Sequence, residues 1–304
     1  MDKKVWYVTG VSKGLGLALI NRLLREGHRV AAIFDPASGL GPDDIAVGPE
    51  HGAGASGIGR SLERPLPVGL DHGAGASGIG RSRVLSFLPL EADLADEQSV
   101  ADSIRKTCEV FGRIDVVVNN AGYGLGAPVA HIITVIQKAM PRLWAQRSGH
   151  IINIAPITGV TIGTPHGHAF YAAARQAILD LSATLAEDVQ PLGIRVTAVL
   201  SDGFHTQSFA GKVLRGTAGM PGTVGAPGMP GMPGTAGMPQ PWYLSVDGRQ
   251  PGDPDKAAEA LLRIATTSEP PGLVYLTSQA YKAAAEKMRL FRRVITSRQC
   301  ATSF

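Results

Sequence analysis

Thr9, Gly10, Ser12, Lys13, Gly14, Leu15 and Gly16 place three glycines and two small hydroxyl residues in one short turn. Glycine lets a chain turn tightly and brings its backbone close to a ligand. A helix starting at such a turn points unpaired amides and a positive dipole end at whatever sits there. The chemistry this implies is recognition of an anion, a phosphate above all, by backbone N–H groups. The competing reading is an ordinary tight β–α connection. His166 and His168 flank Gly167, but no cysteine or acidic cluster accompanies them at ligand spacing, so a solvent-facing loop is expected and no metal.

The elements around the turn decide between these readings. Val5-Trp6-Tyr7-Val8 is a run of strand formers, and Leu17-Ala18-Leu19-Ile20-Asn21-Arg22-Leu23-Leu24 carries apolar residues at helical spacing. Strand, glycine turn and helix therefore follow in the order phosphate binding requires. Gly27-His28 suits a helix stop, and residues 29–34 predict a second strand ending at Asp35.

Strands are predicted over 84–90, 114–118, 149–154, 193–200 and 272–276. Helices are predicted over 97–112 with Asp96 as N-cap, 132–146, 171–187, 254–267 and 278–293. Strands with near-continuous apolar cores, alternating with helices, specify an α/β fold. The expected architecture is a parallel sheet covered by helices on both faces.

Two stretches break the pattern. Residues 36–83 are rich in Gly, Pro, Ser and Asp and hold a perfect 11-residue duplication, His51–Ser61 recurring as His72–Ser82. Each copy contains G-x-G-x-x-G, but no convincing strand precedes it, and Pro65 and Pro67 follow the first copy. From Gly216 to Gly237 every third residue is Gly, a collagen-like register. A triple helix needs three chains in step, whereas a loop in a compact domain must return its ends together. Both stretches, about 36–83 and 212–242, are expected to be flexible insertions in one domain spanning residues 1–304.

Composition excludes several classes. A formal charge of +4 on 304 residues, with basic groups scattered, gives no reason to expect nucleic acid. Two cysteines, Cys108 and Cys300, cannot make a disulfide framework, which points to a reducing cytoplasm. No apolar run approaches the roughly 20 residues of a membrane span. The first strand starts almost at once, leaving no room for a signal peptide.

Once Asn119-Asn120-Ala121-Gly122 and Tyr171 are added to the glycine turn, the chain resembles the short-chain dehydrogenase/reductase family over about residues 1–35, 84–211 and 243–295. The resemblance implies a nicotinamide dinucleotide held by Thr9, Gly10, Ser12, Lys13, Gly14, Leu15 and Gly16. It also implies adenine contacts from Asp93-Leu94, a cleft lined by Asn120, Ala121 and Gly122, and Thr206 near the nicotinamide. The implied fold is a single Rossmann-type domain with a doubly wound parallel sheet, the implied substrate a small carbonyl or alcohol, and the implied assembly a homo-oligomer.

The family uses a tyrosine as general acid/base, here Tyr171, helped by a lysine one helical turn on. Arg175 stands at that position. Arginine keeps the charge that favours phenolate, but it is larger and does not readily yield a proton. The family serine falls on Pro156 when strands are aligned and on Thr158 when counted back thirteen residues from the tyrosine; Thr158, with its hydroxyl, is the candidate. The stretch ending in an active-site asparagine has no counterpart between Ala130 and His131, and Ser201-Asp202 replace a Pro-Gly pair.

Asp35 lies nineteen residues after Gly16, where a carboxylate can bind ribose hydroxyls and repel a 2′-phosphate. Lys13 points instead to NADP. The balance leans to NAD. Three functions stay open: an impaired NAD(P)-dependent oxidoreductase, a non-catalytic nucleotide-binding or scaffold protein, and a structural protein assembled through the Gly-X-Y tract.

Overall fold

The structure is a computed structural model and describes residues 2–36, 41, 86–120, 128–156, 169–201 and 252–296. The chain forms β1 (Val5–Thr9), α1 (Gly14–Arg25), β2 (Arg29–Phe34), β3 (Phe87–Glu91), α2 (Glu97–Phe111) and β4 (Val116–Asn119). Then come α3 (Pro128–Gln146), β5 (Gly149–Pro156), α4 (Ala169–Val189), β6 (Ile194–Ser201), α5 (Pro254–Thr266), β7 (Leu273–Tyr275) and α6 (Ser278–Thr296). All seven strands pair in parallel in the order β3-β2-β1-β4-β5-β6-β7.

Alternation along β1 explains the layers. Val5 and Tyr7 point into one core, with Val100, Ile104, Ile132, Val135 and Ile178 of α2, α3 and α4. Trp6 and Val8 point into the other, with Leu19, Ile20 and Leu23 of α1 and Leu261 of α5. Because successive strand residues face opposite sides, a strand covered on both faces must be apolar throughout. The doubly wound sheet expected from the sequence is what forms.

The local stops are chemical. α1 ends with Gly27 at φ 77°, the His28 N–H bonding Leu23 O and the Gly27 N–H bonding Leu24 O. That pair of bonds satisfies carbonyls left over at a helix end. The Asp96 carboxylate accepts from the Gln98 and Ser99 amides at the start of α2, as its N-cap reading required. Pro89 lies within β3, an edge strand, where its missing N–H can face away from the sheet.

The duplicated glycine-rich segment and the Gly-X-Y tract lie outside the described residues, as do His166 and His168. Among the described residues no helix is long and apolar enough to cross a membrane, and no cluster of His, Cys, Asp and Glu could hold a metal.

Candidate functional site

The strand order reverses direction between β1 and β4, and a crevice opens beyond the carboxyl ends of strands at such a switch point. The glycine turn leaves β1 there, and Asn120 leaves β4. Gly10 and Gly14 adopt φ of 67° and 59°, conformations that L side chains rarely take. Gly16 fits under the turn: a Cβ on it would come within 2.1 Å of the Gly10 carbonyl oxygen and 2.7 Å of Asn120 Nδ2.

Asn120 locks the turn across the switch point. Its Nδ2 donates to Gly10 O at 2.8 Å, and its backbone N–H donates to Thr9 Oγ1 at 3.1 Å. Thr9 Oγ1 in turn donates to Val118 O at 3.3 Å. The Asn120 Oδ1 is buried with no hydrogen-bond partner among the described residues.

The helix that starts here is open to an anion. Lys13 is the α1 N-cap in extended backbone, with no side-chain bond to the first-turn amides, and no acidic residue stands in that turn. Those amides and the dipole end face the crevice unneutralised by the helix's own side chains.

Carboxylates mark one side of the crevice. Asp35 follows β2 and Asp93 follows β3, next to each other in the sheet. His131, in the first turn of α3, lies near both: burial pushes its imidazole below the usual range while the charges of Asp35 and Asp93 pull it back up. Asp93 Oδ1 accepts the Ala95 N–H at 2.8 Å, bracing its own turn.

The other side is anchored by a buried amide chain. Asn119 Nδ2 donates to Asn153 Oδ1 at 2.8 Å, and Asn153 Nδ2 donates to Ser182 Oγ at 2.9 Å. Ser182 Oγ donates to Ile178 O at 2.6 Å. β4, β5 and α4 are thus tied by polar bonds inside the core, and α4 carries Tyr171 and Arg175 toward its amino-terminal end. Arg175 is 1% exposed and is engaged by a partner.

Comparison with known proteins agrees with this geometry. A family model described as enoyl-(acyl carrier protein) reductase matches residues 76–217. An oxidoreductase of Botryotinia fuckeliana is 29% identical over 219 residues, covering 67% of this chain and 66% of that protein. A short-chain dehydrogenase structure from Streptomyces avermitilis superposes with a TM-score of 0.66 at 20% identity, covering 97% of this chain and 96% of its own. A second, from Burkholderia cenocepacia and in complex with NADP, gives 0.59 at 18%, covering 99% and 98%.

In sequence and in fold the chain is similar to short-chain dehydrogenases/reductases.

Of the residues the family resemblance singled out, the structure brings Thr9, Gly10 and Asn120 into one bonded unit with Gly16 packed beneath it, and Ser12, Lys13 and Gly14 follow in the same turn. Three side chains turn away from the crevice. Thr9 is wholly buried in bonds to β4, and Leu15 and Leu94 pack into the two cores, so these residues can offer a ligand only their backbone. Ala121, Gly122, Thr158, Thr206 and the side chain of Tyr171 lie outside the described residues.

Three contributors were missed in the sequence: His131, Asn153 and Ser182. Asn153 interrupts the apolar run Ile151-Ile152-Asn153-Ile154, and a polar side chain in a strand buried on both faces must have a partner. That was the available signal. For His131 there was none, because its neighbours come from the distant Asp35 and Asp93.

Proposed function

We propose that the chain binds NAD or NADP in the crevice at the β1–β4 switch point and interconverts a small carbonyl and its alcohol. The observation that carries this reading is the uncapped α1 terminus seated on the Gly10–Asn120–Gly16 unit. A backbone without side chains at Gly10, Gly14 and Gly16 leaves room for a pyrophosphate, and the first-turn amides supply its donors. The buried Asn120 Oδ1 is an acceptor beside them.

The nicotinamide, when bound, supplies the hydride. The chain's residues do the rest. Ser12, Lys13 and the amides of Gly14, Leu15 and Gly16 bind and orient the phosphates. Asp35 accepts from the adenosine ribose hydroxyls, which favours NAD, while Asp93 and Leu94 bound the adenine side. Ala121 and Gly122 continue the cleft wall, and Thr206 closes it near the reacting ring. Tyr171 holds and delivers the proton at its phenol oxygen, Thr158 donates to the substrate oxygen, and Arg175 supplies the nearby positive charge. Homo-oligomeric assembly belongs to the same reading.

Catalysis is weak in this account. A guanidinium in the place of an amine, fully buried, cannot hand a proton on as an amine can. General acid/base help is typically worth roughly 10²–10⁴-fold, so disturbing its positioning groups suppresses turnover without abolishing binding. Retention of the nucleotide site with lost chemistry is the second reading, favoured by that same burial of Arg175.

Single-turnover NADH oxidation across a panel of ketones and aldehydes tests the assignment. The account expects slow oxidation that falls at least 100-fold in Tyr171→Phe. Oxidation that is fast and survives Tyr171→Phe overturns the role of Tyr171.

A further inference from the structure

The end of the sheet opposite the glycine turn holds a cavity of about 380 Å³ that neither the nucleotide nor the proposed chemistry uses. It opens where β1, β4, β5 and β6 begin, so its walls are the paired starts of four strands. Lys4, Arg113, His150 and Arg195 line it, with Asp115 and Ser268.

The charges are not balanced. Arg113 Nε donates to Asp115 Oδ1 at 2.7 Å, and Asp115 Oδ2 accepts the Val5 N–H at 2.8 Å, so this pair is internally satisfied. Lys4 and Arg195 have no ion pair among the described residues. His150 Nε2 lies 2.8 Å from Thr197 Oγ1, whose own proton goes to Pro271 O at 2.8 Å. The imidazole must therefore donate from Nε2, and burial, with Lys4 and Arg195 nearby, disfavours its charged form.

The helices α3 and α5 end nearby, at Gln146 and Thr266, and each contributes about half a negative charge. Two full cations against two half charges leave roughly one net positive charge facing the cavity. Part of that carbonyl charge is already met. The Arg147 and Ser148 amides donate to Trp144 O and Leu143 O of α3 and the Ser148 hydroxyl to Gln146 O, while the Thr266 and Thr267 hydroxyls donate to Leu262 O and Arg263 O of α5. The volume lies in the range of small-molecule pockets rather than of a single trapped ion.

We infer that this cavity binds a phosphate group carried by a small molecule, held between Lys4 and Arg195 with Arg113 at its edge. The site is separate from the nucleotide crevice, because the two lie at opposite ends of the same strands. Lys4 leads into β1, whose far end is the glycine turn.

Thermal unfolding is followed with glycerol 3-phosphate and with inorganic phosphate, each against sodium chloride of equal ionic strength. The expected result is a saturable rise in Tm for both phosphates. Apparent affinity should fall at least tenfold in Arg195→Gln and in Lys4→Gln. Arg195→Lys, which keeps the charge and guards against misfolding, should fall less. Tighter binding of glycerol 3-phosphate assigns the site to phosphate esters; equal or tighter binding of inorganic phosphate assigns it to the free ion, and either supports phosphate recognition. Unchanged phosphate dependence in both charge-removing variants overturns the proposal. So does a loss confined to Ser12→Asp, which would place the phosphate at the glycine turn.

Discussion

Gly16 lies so close beneath Gly10 that a Cβ on it would stand 2.1 Å from the Gly10 carbonyl oxygen, the same oxygen that accepts from Asn120 Nδ2 at 2.8 Å. One carbonyl therefore sets three distances: strand to helix, turn to β4, and the opening left for a ligand. Both neighbours are fixed, one being backbone and the other a bonded amide, so neither can yield cheaply.

Gly16→Ala follows directly. α1 must move off the turn, at a cost of about 1–3 kcal/mol typical of overpacking, and the crevice changes shape. Denaturant unfolding should show the lower midpoint, and NADH affinity should drop at least tenfold. Native stability and native affinity together would show that the turn has slack.

Asp35→Ser tests the preference for the nucleotide. Removing the carboxylate takes away both the ribose acceptor and the repulsion of a 2′-phosphate. The ratio of NADPH to NADH affinity should rise at least tenfold. An unchanged ratio would mean that Asp35 serves only as the turn residue before Pro36.

Asn153→Ala breaks the bonded chain from Asn119 to Ser182 at its middle. Each buried donor or acceptor left unpaired costs roughly 1–3 kcal/mol. A loss of that order in urea unfolding is expected, with turnover falling further than NADH affinity because α4 carries Tyr171. A loss confined to stability would leave the amide chain with no part in placing α4.

Stability should also depend on pH through His150. Burial, with Lys4 and Arg195 nearby, holds its imidazole down at about 4 against 6.5 in the unfolded chain. The unfolded state binds the proton first, so stability is full above pH 6.5 and is lost as pH falls from 6.5 toward 4. The loss is of order 3 kcal/mol at most. His150→Gln should flatten the profile across that interval, and an equally steep profile in the variant would assign it to other groups.

Much of this was written in the sequence. The apolar runs and helical patterns place the strands and helices within a few residues, because a strand such as β1, whose alternate residues enter the two cores, can pack only between two layers. The helix boundaries at Asp96 and Gly27 were legible for the same local reason: a carboxylate takes orphan amides and a glycine takes positive φ.

What escaped is non-local. His131 meets Asp35 and Asp93 through the pairing of β2 with β3, and Asn119 meets Ser182 through Asn153 on a third element. No spacing along the chain encodes such meetings. Leu15 and Leu94, adjacent to ligand-facing positions, turned out to spend their side chains on the cores.

The measurement that bears most directly on the account is fluorescence titration of the purified protein with NADH and NADPH, beside Ser12→Asp. That substitution puts a carboxylate at the anion-binding turn without altering any glycine. The account predicts saturable binding of at least one nucleotide to the wild type, weakened at least tenfold in Ser12→Asp with an unchanged melting transition. Absence of saturable binding, or equal affinity in the variant, would contradict a nucleotide site at the β1–β4 switch point.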